Sequence, residues 1–203
     1  SGTHEVLEER FNDPNSIVEE KFHGARYLMF ITKDGNRFFT RQISVKNGLP
    51  VEKTNNIPHL SGLDLKKFDG TILDGEIFPP TRNWGDVTKV MGSLPEEAVR
   101  KQRDVIGWME YHVFDVLYFK GRNVMNEPLQ QRRALLNEIT YNKELNLTKQ
   151  VVDNKREFYD KVVAAGGEGV ILKNLKGTYC PGERDKDVWM KVKKSQTFEV
   201  VVM

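Results

Sequence analysis

The sequence predicts an α+β fold in which antiparallel β-sheets are flanked by helices. Short β-rich segments bounded by turn residues alternate irregularly with a few helical stretches, whereas a βαβ fold would alternate regularly. The chain has 203 residues, of which 38% are hydrophobic and 30% charged, so it contains enough apolar material to bury a core. The first half is predicted to be mostly sheet.

The first half contains a predicted β-meander. Ile17–Phe22 and Ala25–Ile31 are predicted strands. Asp34-Gly35 is typical of a hairpin turn, and Arg37–Ile43 is the predicted returning strand. These segments predict consecutive antiparallel neighbours in one sheet.

A strand, a helix and another strand are predicted in the middle of the chain. Thr71–Phe78 is expected to end at the two prolines that follow it, because proline cannot donate a hydrogen bond to a ladder. Ser93 and Glu96 are spaced as in a capping box, which predicts a helix through about Arg103. Tyr111–Phe119 is apolar and β-rich, and it is a predicted strand.

The last third is predicted to contain two helices and three strands. The apolar spacing predicts helices over Pro128–Ile139 and Asp153–Ala165, and two glycines stop the second helix. Val170–Leu172 and Val188–Val192 are predicted strands, and Phe198–Met203 is a predicted strand that starts at the chain end.

The segment Glu19–Arg26 ends one predicted strand, makes a glycine turn and enters the next. In an extended chain Glu19 and Lys21 share a face. Gly24 allows the backbone to approach a ligand closely, and the guanidinium of Arg26 can hold a phosphate. Taken alone, a solvated Glu/Lys pair before a turn explains the same residues.

Acidic and aromatic residues stand inside two later strands. Asp74 and Glu76 lie in the apolar segment Leu73–Ile77, where either a β-bulge with exposed acids or a functional site explains them. Phe114 lies in the apolar segment Tyr111–Leu117, where plain core is the alternative to a platform for a ligand.

Two motifs near the end of the chain carry charge. Glu168 stands between glycines at the start of an apolar strand, although a helix stop followed by a strand also explains the glycines. In Trp189–Lys194 the alternation puts Lys191 and Lys193 on one face. Neighbouring ammonium groups repel each other, so either an edge strand that avoids aggregation or a bound polyphosphate explains the pair.

The ordered set of motifs resembles the covalent nucleotidyltransferase superfamily of ATP-dependent DNA ligases, RNA ligases and mRNA capping enzymes. The family's Lys-x-Asp-Gly-x-Arg motif is similar to Lys21–Arg26, and its acidic, aromatic, Glu-Gly and Lys-x-Lys motifs follow in order. The resemblance covers Ile17 to Met203. It implies one nucleotidyltransferase (adenylation) domain over residues 1–203, with ATP in a cleft between the sheets.

The resemblance also implies a reaction. Lys21 attacks the α-phosphate of ATP, expels pyrophosphate and becomes covalently linked to AMP. The amine must lose its proton first, and neighbouring cations favour its neutral form. Lys191 and Lys193 complete the catalytic set by stabilising charge on the phosphates.

Further residues are similar to family positions that bind the nucleotide, a DNA phosphate or Mg²⁺. By resemblance, Glu19 contacts the adenine amino group, Glu20 belongs to the nucleotide site, and Phe114 stacks on the base. Arg26 is expected near the ribose and phosphate, and Arg41 at a phosphate of the nick. Glu76 is similar to the acid on the ribose or metal side, and Glu168 to the metal-binding acid.

One residue of the first motif departs from the family pattern. The usual aspartate is His23 here, and an imidazole cannot replace a carboxylate that accepts hydrogen bonds. We therefore expect the loop to be satisfied by other groups. The segment Lys33–Arg37 is a similar pattern, but its glycine lies one residue too close to the lysine, so we interpret it as the hairpin turn.

Several segments resemble DNA ligases more than other members of the superfamily, namely Phe114–Gly121, Glu127–Arg133 and Thr178–Gly182. They imply transfer of AMP to the 5′-phosphate of nicked double-stranded DNA and sealing in DNA repair, replication or recombination. The alternatives are an RNA ligase, an mRNA-capping guanylyltransferase that uses GTP, and a non-catalytic binding module.

In the DNA ligase family an oligonucleotide-binding β-barrel with a further basic motif follows the last lysine motif. Neither is found in this sequence. We therefore expect an isolated catalytic domain that binds ATP but is poor at adenylation and sealing.

Composition bounds the environment only weakly. The single Cys180 excludes an internal disulfide and a thiolate metal site, which fits a reducing compartment such as a prokaryotic or virus-infected cytoplasm, or a eukaryotic nucleus. The apolar stretch Tyr27–Ile31 is too short to span a bilayer, so no membrane partner is expected. A net charge of +2 neither demands nor excludes nucleic acid. The expected partners are ATP, Mg²⁺ and nicked DNA, and the expected state is a monomer.

Overall fold

The computed structural model describes residues 2–182 and 188–194 of the chain. The strands in these residues are β1 Ser16–Glu20, β2 Ala25–Thr32, β3 Gly35–Ile43, β4 Pro50–Glu52, β5 Thr71–Phe78, β6 Glu110–Phe119, β7 Arg122–Asn123, β8 Leu145–Leu147, β9 Gly169–Asn174 and β10 Trp189–Lys193. The α-helices are α1 Gly2–Asn12, α2 Pro58–Ser61, α3 Trp84–Met91, α4 Pro95–Lys101, α5 Leu129–Leu136 and α6 Lys155–Ala164.

The chain divides into two compact units. The first contains the described residues of Ser1–Phe22, Lys149–Asn174 and Arg184–Met203, and the second contains those of His23–Thr148 and Leu175–Glu183. Residues from both ends of the sequence therefore belong to the first unit.

The first unit is built on a three-stranded antiparallel sheet in the order β1-β9-β10. One face of this sheet forms an apolar core with α1 and α6. The buried members of this core are Phe11, Val18, Val162, Val170, Leu172 and Val192. Lys155 of α6 donates to the carbonyl groups of Asp13 and Ser16, which ties the helix to the start of β1.

The second unit is built on a larger sheet in the order β4-β3-β2-β5-β6-β7, with β8 also paired to β6. All of these pairings are antiparallel except that of β6 with β8. Tyr27, Met29 and Ile31 alternate along β2 and pack into the core of this unit.

A buried ion pair joins α5 to β6 in the second unit. Arg132 donates from Nε and Nη2 to the two carboxylate oxygens of Asp115 at 2.7 and 2.9 Å, and both side chains are 0% exposed. Arg132 Nη1 also donates to the Gly177 carbonyl at 3.1 Å. The pair therefore fixes α5 and the chain near Gly177.

The structure confirms the α+β prediction and most of the predicted strands. β5 has the predicted bounds, and the turn at Asp34-Gly35 joins β2 to β3 with Thr32 opposite Gly35. The first strand is shorter than predicted, because β1 ends at Glu20 and leaves Lys21 just beyond it. The predicted strand Phe198–Met203 lies outside the described residues.

The predicted capping box at Ser93 is wrong. α4 begins at Pro95, Leu94 is its N-cap residue, and no side chain caps it. Proline is favoured at the first helical position, which moves the helix start beyond Ser93. The Ser93 hydroxyl instead donates to the Lys89 carbonyl at 2.5 Å. The helices α1, α2 and α3 are not among the predicted helices.

Within the described residues, no helix is long and apolar enough to cross a membrane.

We predict that Asp115→Ala lowers the free energy of unfolding by about 3–5 kcal/mol, because it leaves the buried guanidinium of Arg132 without its counter-charge. Urea unfolding measures the change. The control is Arg100→Ala, which breaks the exposed pair with Glu97 and should leave the midpoint nearly unchanged. Equal losses in the two variants would contradict the prediction.

Candidate active site

The three-stranded sheet of the first unit has one apolar face and one charged face. Val18, Val170 and Val192 point into the core. Because side chains alternate along a strand, the register places the intervening residues together on the opposite face. The residues of this charged face are Ile17, Glu19, Ile171, Lys173, Trp189, Lys191 and Lys193. Lys21 extends the face beyond β1, because its backbone amide donates to the Gly169 carbonyl at 3.0 Å.

Two of the predicted catalytic lysines converge on one carboxylate at the end of the charged face. Lys21 Nζ lies 2.5 Å from Glu168 Oε2, and Lys193 Nζ lies 3.0 Å from Glu168 Oε1. The Lys21 and Glu168 side chains are largely buried, at 16% and 20% exposure, whereas Lys193 is 61% exposed. Lys21 therefore meets Glu168 across 147 positions of sequence.

Gly169 makes this convergence possible. Its φ is +138°, and a Cβ atom there would lie 2.0 Å from the Val192 carbonyl oxygen. Only glycine lets β10 approach β9 so closely at this point. The Lys194 amide then donates to the Glu168 carbonyl at 3.1 Å, which fixes the chain after Lys193.

The two ammonium groups control the ionisation of Glu168. Partial burial acts to raise the pKa of its carboxyl group, but hydrogen bonds from Lys21 and Lys193, together with their charges, lower the pKa below its ordinary value. Glu168 is therefore a carboxylate at neutral pH, with one ammonium on each oxygen.

A second ion pair lies deeper on the same face. Lys173 Nζ is 2.5 Å from Glu19 Oε2, and the two side chains are 0% and 1% exposed. Gln150 donates to Glu19 Oε1 at 3.0 Å, and Lys173 Nζ also lies 4.1 Å from the ring centroid of Trp189. The predicted adenine-reading carboxylate is thus held between a lysine and an amide.

The charged face carries more positive than negative charge. Its lysines are Lys21, Lys173, Lys191 and Lys193, and its acids are Glu19 and Glu168, which leaves two positive charges in excess. Lys191 is exposed and lies opposite Ile171. Glu20 pairs with Val170 and takes the opposite face of the sheet.

Arg26 is held by two acidic or phenolic partners within the second unit. Its Nε donates to Asp74 Oδ1 at 2.8 Å, and its Nη2 lies 2.5 Å from Asp74 Oδ2 and 2.9 Å from the Tyr179 hydroxyl. Phe114 is half-buried, with its ring centroid 5.6 Å from the guanidinium carbon of Arg26. The structure therefore places Arg26 and Phe114 side by side in the second unit.

The loop after Lys21 is held by groups other than a carboxylate at position 23. The Gly24 amide donates to Glu76 Oε1 at 3.1 Å, and a Cβ atom on Gly24 would lie 2.2 Å from the Ile77 carbonyl oxygen. The His23 ring stacks on Trp84, with centroids 4.9 Å apart and an interplanar angle of 4°. The Glu76 carboxylate and the Trp84 ring therefore both contact this loop.

Arg41 lies on β3 in the second unit and is exposed. The pairing of β3 with β4 shifts register between Phe39 and Ile43, so Arg41 stands in an irregular part of the strand. Its side chain is therefore accessible to a ligand from solvent.

Three residues that contact the predicted site residues were not predicted to belong to the site. Asp74 was noted as an acid in an apolar strand, but its pairing with Arg26 was not predicted. Lys173 and Tyr179 lie inside segments that resemble the family, at the end of the Glu-Gly motif and before the lysine pair. Their partners come from distant parts of the chain, so only the register and the fold reveal them.

No preformed metal site exists among the described residues, since no group of three or more His, Cys, Asp or Glu side chains is placed to hold an ion. Glu168 belongs to the first unit and Glu76 to the second.

Comparisons with known proteins agree with this arrangement. Residues 2–193 match the family described as ATP dependent DNA ligase domain. The DNA ligase of Methanothrix thermoacetophila is 31% identical over an alignment that covers 93% of this chain and 34% of that protein. The SPbeta prophage-derived DNA ligase-like protein LigB of Bacillus subtilis is 27% identical, over 97% of this chain and 67% of that protein. The structure of mycobacterial DNA ligase D complexed with ATP and MES is 25% identical, with a TM-score of 0.65 over 88% of this chain and 54% of that chain.

The chain belongs to the ATP-dependent DNA ligase domain family. Its mixture of helices and antiparallel sheet is the nucleotidyltransferase fold of these ligases. The chain spans about a third of the length of the archaeal DNA ligases that it matches.

We predict that Glu168 stabilises the fold only while it is ionised. Its pKa is lowered in the folded state, so its contribution is complete above the ordinary carboxyl pKa of 4.5 and is lost as the pH falls through the lowered value. At pH 7, Glu168→Gln should lower the free energy of unfolding by on the order of 1 kcal/mol, because solvent screens a partly exposed carboxylate.

Urea unfolding of wild type and Glu168→Gln between pH 7 and pH 3 measures this difference. The control is Glu157→Gln, which alters an exposed pair with Lys161 on α6 of the same unit. A Glu168→Gln difference that grows toward low pH would contradict the prediction.

Proposed function

We propose that Lys21 forms a lysyl-AMP intermediate with ATP, and that the domain passes this AMP to the 5′-phosphate of nicked DNA for sealing. The observation that carries the proposal is the contact of Lys21 and Lys193 with the single carboxylate of Glu168. Membership of the ATP-dependent ligase family and the relative complexed with ATP support ATP as the nucleotide.

The excess positive charge of the charged face suits a polyphosphate. Two neighbouring ammonium groups are unfavourable alone, and Glu168 offsets their repulsion in the absence of a nucleotide. The phosphate oxygens of ATP can offset it in the same way. Lys193 and Lys191 would then stabilise the charge that develops on the phosphates in the transition state.

The first chemical step forms a bond from Lys21 Nζ to the α-phosphorus and breaks the bond from that phosphorus to the pyrophosphate oxygen. Lys21 must first release a proton, because an ammonium nitrogen has no electron pair to donate. Glu168 Oε2 contacts this ammonium at 2.5 Å, and cations beside Lys21 would favour its neutral form and release of the proton to solvent. In the second step an oxygen of the 5′-phosphate attacks the AMP phosphorus, and Lys21 leaves as the amine. The 3′-hydroxyl of the nick then displaces AMP and closes the phosphodiester.

The remaining predicted residues would bind the rest of the nucleotide. An ionised Glu19 accepts hydrogen bonds only, which suits the amino group of adenine and not the carbonyl oxygen of guanine. Phe114 offers a half-buried ring for stacking, and Arg26 beside it suits the ribose and phosphate. Glu20 remains a predicted member of this site, although its side chain lies on the other face of the sheet.

We include Mg²⁺ in the proposal on the chemistry of Glu168. Mg²⁺ is usually held by one or two carboxylates together with substrate phosphates, so one carboxylate beside the phosphates is a sufficient protein ligand. Bound there, it would neutralise phosphate charge and compete with Lys21 for Glu168. Glu76 remains a predicted second ligand, and its Oε1 already accepts the Gly24 amide.

We further propose that Arg41 contacts a phosphate of the nicked duplex, because its guanidinium is exposed on an irregular strand. We also propose that the protein acts as a monomer, because every residue that the proposal uses comes from one chain.

We predict that incubation with Mg²⁺ and α-labelled ATP gives a covalent adduct on Lys21. Lys21→Ala should abolish the adduct, and Lys193→Ala should reduce the rate of its formation at least 100-fold, as for loss of a group that stabilises transition-state charge. Gel labelling and mass spectrometry of the modified peptide measure both effects.

The matched control is Lys33→Ala, which removes the exposed lysine of the similar hairpin pattern and should leave labelling intact. Labelling by GTP in preference to ATP would indicate a guanylyltransferase. Transfer to RNA ends in preference to nicked DNA would indicate an RNA ligase. Absence of any adduct would leave a binding module and refute the proposal.

We predict that binding to nicked DNA weakens as salt rises and does not depend on base sequence, because phosphate contacts release counterions. Arg41→Ala should reduce the slope of log affinity against log salt by about 1. Fluorescence anisotropy with a labelled nicked duplex measures the slope. Arg122→Ala, which changes an exposed arginine paired with Glu127, is the control. Binding that is indifferent to ionic strength would contradict this part of the proposal.

A further inference from the structure

We propose that Tyr179 is a positioning residue that fixes the guanidinium of Arg26 for nucleotide binding. The inference rests on the proposed function, because it takes Arg26 as part of the nucleotide site. Tyr179 lies in the segment between β9 and β10, outside the motifs that supply the predicted site residues.

The Tyr179 hydroxyl closes a ring of hydrogen bonds with Arg26 and Asp74. It donates to Asp74 Oδ2 at 2.6 Å and accepts from Arg26 Nη2 at 2.9 Å, while Asp74 accepts directly from Arg26 Nε and Nη2. Asp74 is 0% exposed and Arg26 is 29% exposed. A buried carboxylate and a phenol therefore hold one edge of a guanidinium that is still partly open to solvent.

The protonation states allow each group to keep its role. Burial raises the pKa of Tyr179, and the negative charge of Asp74 raises it further, so the phenol stays protonated and can donate. Burial acts to lower the pKa of Arg26, but hydrogen bonding to Asp74 and its charge outweigh burial and raise the pKa. The Tyr179 hydroxyl therefore stays neutral and the Arg26 guanidinium stays positively charged.

The backbone around Tyr179 is itself anchored in the second unit. The Tyr179 amide donates to the Met125 carbonyl at 2.8 Å, and the Gly177 carbonyl accepts from the Leu129 amide at 2.9 Å. The same Gly177 carbonyl accepts from Arg132 Nη1 at 3.1 Å, and Arg132 is fixed by Asp115. The hydroxyl is therefore presented from a rigid support.

The two hydrogen bonds to Asp74 alone would define the guanidinium plane less firmly than they do together with the third hydrogen bond, to Tyr179. A phosphate or ribose contact depends on the direction of the donors, and a group oriented before the ligand arrives loses less freedom when it binds. The hydroxyl of Tyr179 should therefore affect nucleotide affinity more than it affects the chemical step.

The test uses Tyr179→Phe, which removes only the hydroxyl, against Tyr141→Phe as the matched control. Tyr141 is also a largely buried tyrosine of the second unit, its pKa is raised chiefly by burial, and its hydroxyl donates to the Leu136 carbonyl at 2.9 Å. Tyr179→Phe loses the hydrogen bond that its hydroxyl donates to Asp74 and the one that it accepts from Arg26, whereas Tyr141→Phe loses one, so Tyr141→Phe controls for the removal of a partly buried phenolic hydroxyl.

The first readout is the NMR signal of the Arg26 Nε–H group in ¹⁵N-labelled protein without nucleotide, assigned by its loss in Arg26→Lys. We expect Tyr179→Phe to shift this signal and to speed its exchange with solvent several-fold, while Tyr141→Phe leaves it in place. An unchanged Arg26 signal in Tyr179→Phe would overturn the inference whether or not the protein is adenylated.

The second readout is the rate of adenylation as a function of ATP concentration. We expect Tyr179→Phe to raise KM about five- to tenfold, as for loss of one hydrogen bond to a charged group, with kcat within about twofold of wild type. If Tyr179→Phe and Tyr141→Phe behave alike, the positioning role fails while the proposed function stands. If the wild type forms no adduct, the proposed function fails and the NMR signal alone decides the role of Tyr179.

Discussion

The contact of Glu168 with two ammonium groups is the interaction on which the candidate site depends. Lys21 and Lys193 come from opposite ends of the sequence, and like charges would separate them without the carboxylate. The carboxylate can do this because Gly169 allows β10 to lie against the start of β9. A glycine, an acid and the strand register together create one compact cluster of charge.

The apolar side of the same sheet determines which residues can join that cluster. Val18, Val170 and Val192 must face α1 and α6, so the alternate positions must face the other way. A shift of one residue would exchange the two faces, which strongly specifies the register. The buried pair of Glu19 and Lys173 is not explained by stability, since replacing such a pair with well-packed apolar residues is often neutral or favourable. Its effect, together with the hydrogen bond from Gln150, is to hold the Glu19 carboxyl group in one orientation.

Sequence patterns predicted the fold where local chemistry dominates. β5 was predictable because its apolar residues stop at two prolines, and the β2–β3 hairpin because Gly35 adopts a positive φ of 127°. Helix α3 has only 8 residues, which is too short for an extended apolar periodicity to indicate it. It begins after Asn83, whose side chain caps it by accepting a hydrogen bond from the Gly85 amide. Ser93 misled the prediction of the next helix because Pro95 fixes the start elsewhere.

The candidate site was predictable as a set of motif residues but not as a set of contacts. The order of the motifs pointed to Lys21, Glu168 and Lys193, and the structure brings these three together. The partners that orient the other residues depend on cross-strand register and on loops folded over long sequence distances. Asp74 is one strand away from Arg26, and Tyr179 is 153 residues away, so no local pattern could pair them.

The departure at His23 shows how such distant contacts can replace a motif residue. A carboxylate at this position would be expected to accept hydrogen bonds from its loop, yet the Gly24 amide already has an acceptor in Glu76. His23 is exposed and stacks on Trp84 at the start of α3, a helix that also lies outside the family motifs. The loop is thus held by an acid from β5 and an aromatic ring from α3. Lys21 makes its side-chain contact with Glu168 in the first unit, whereas His23 and its ring partner Trp84 belong to the second.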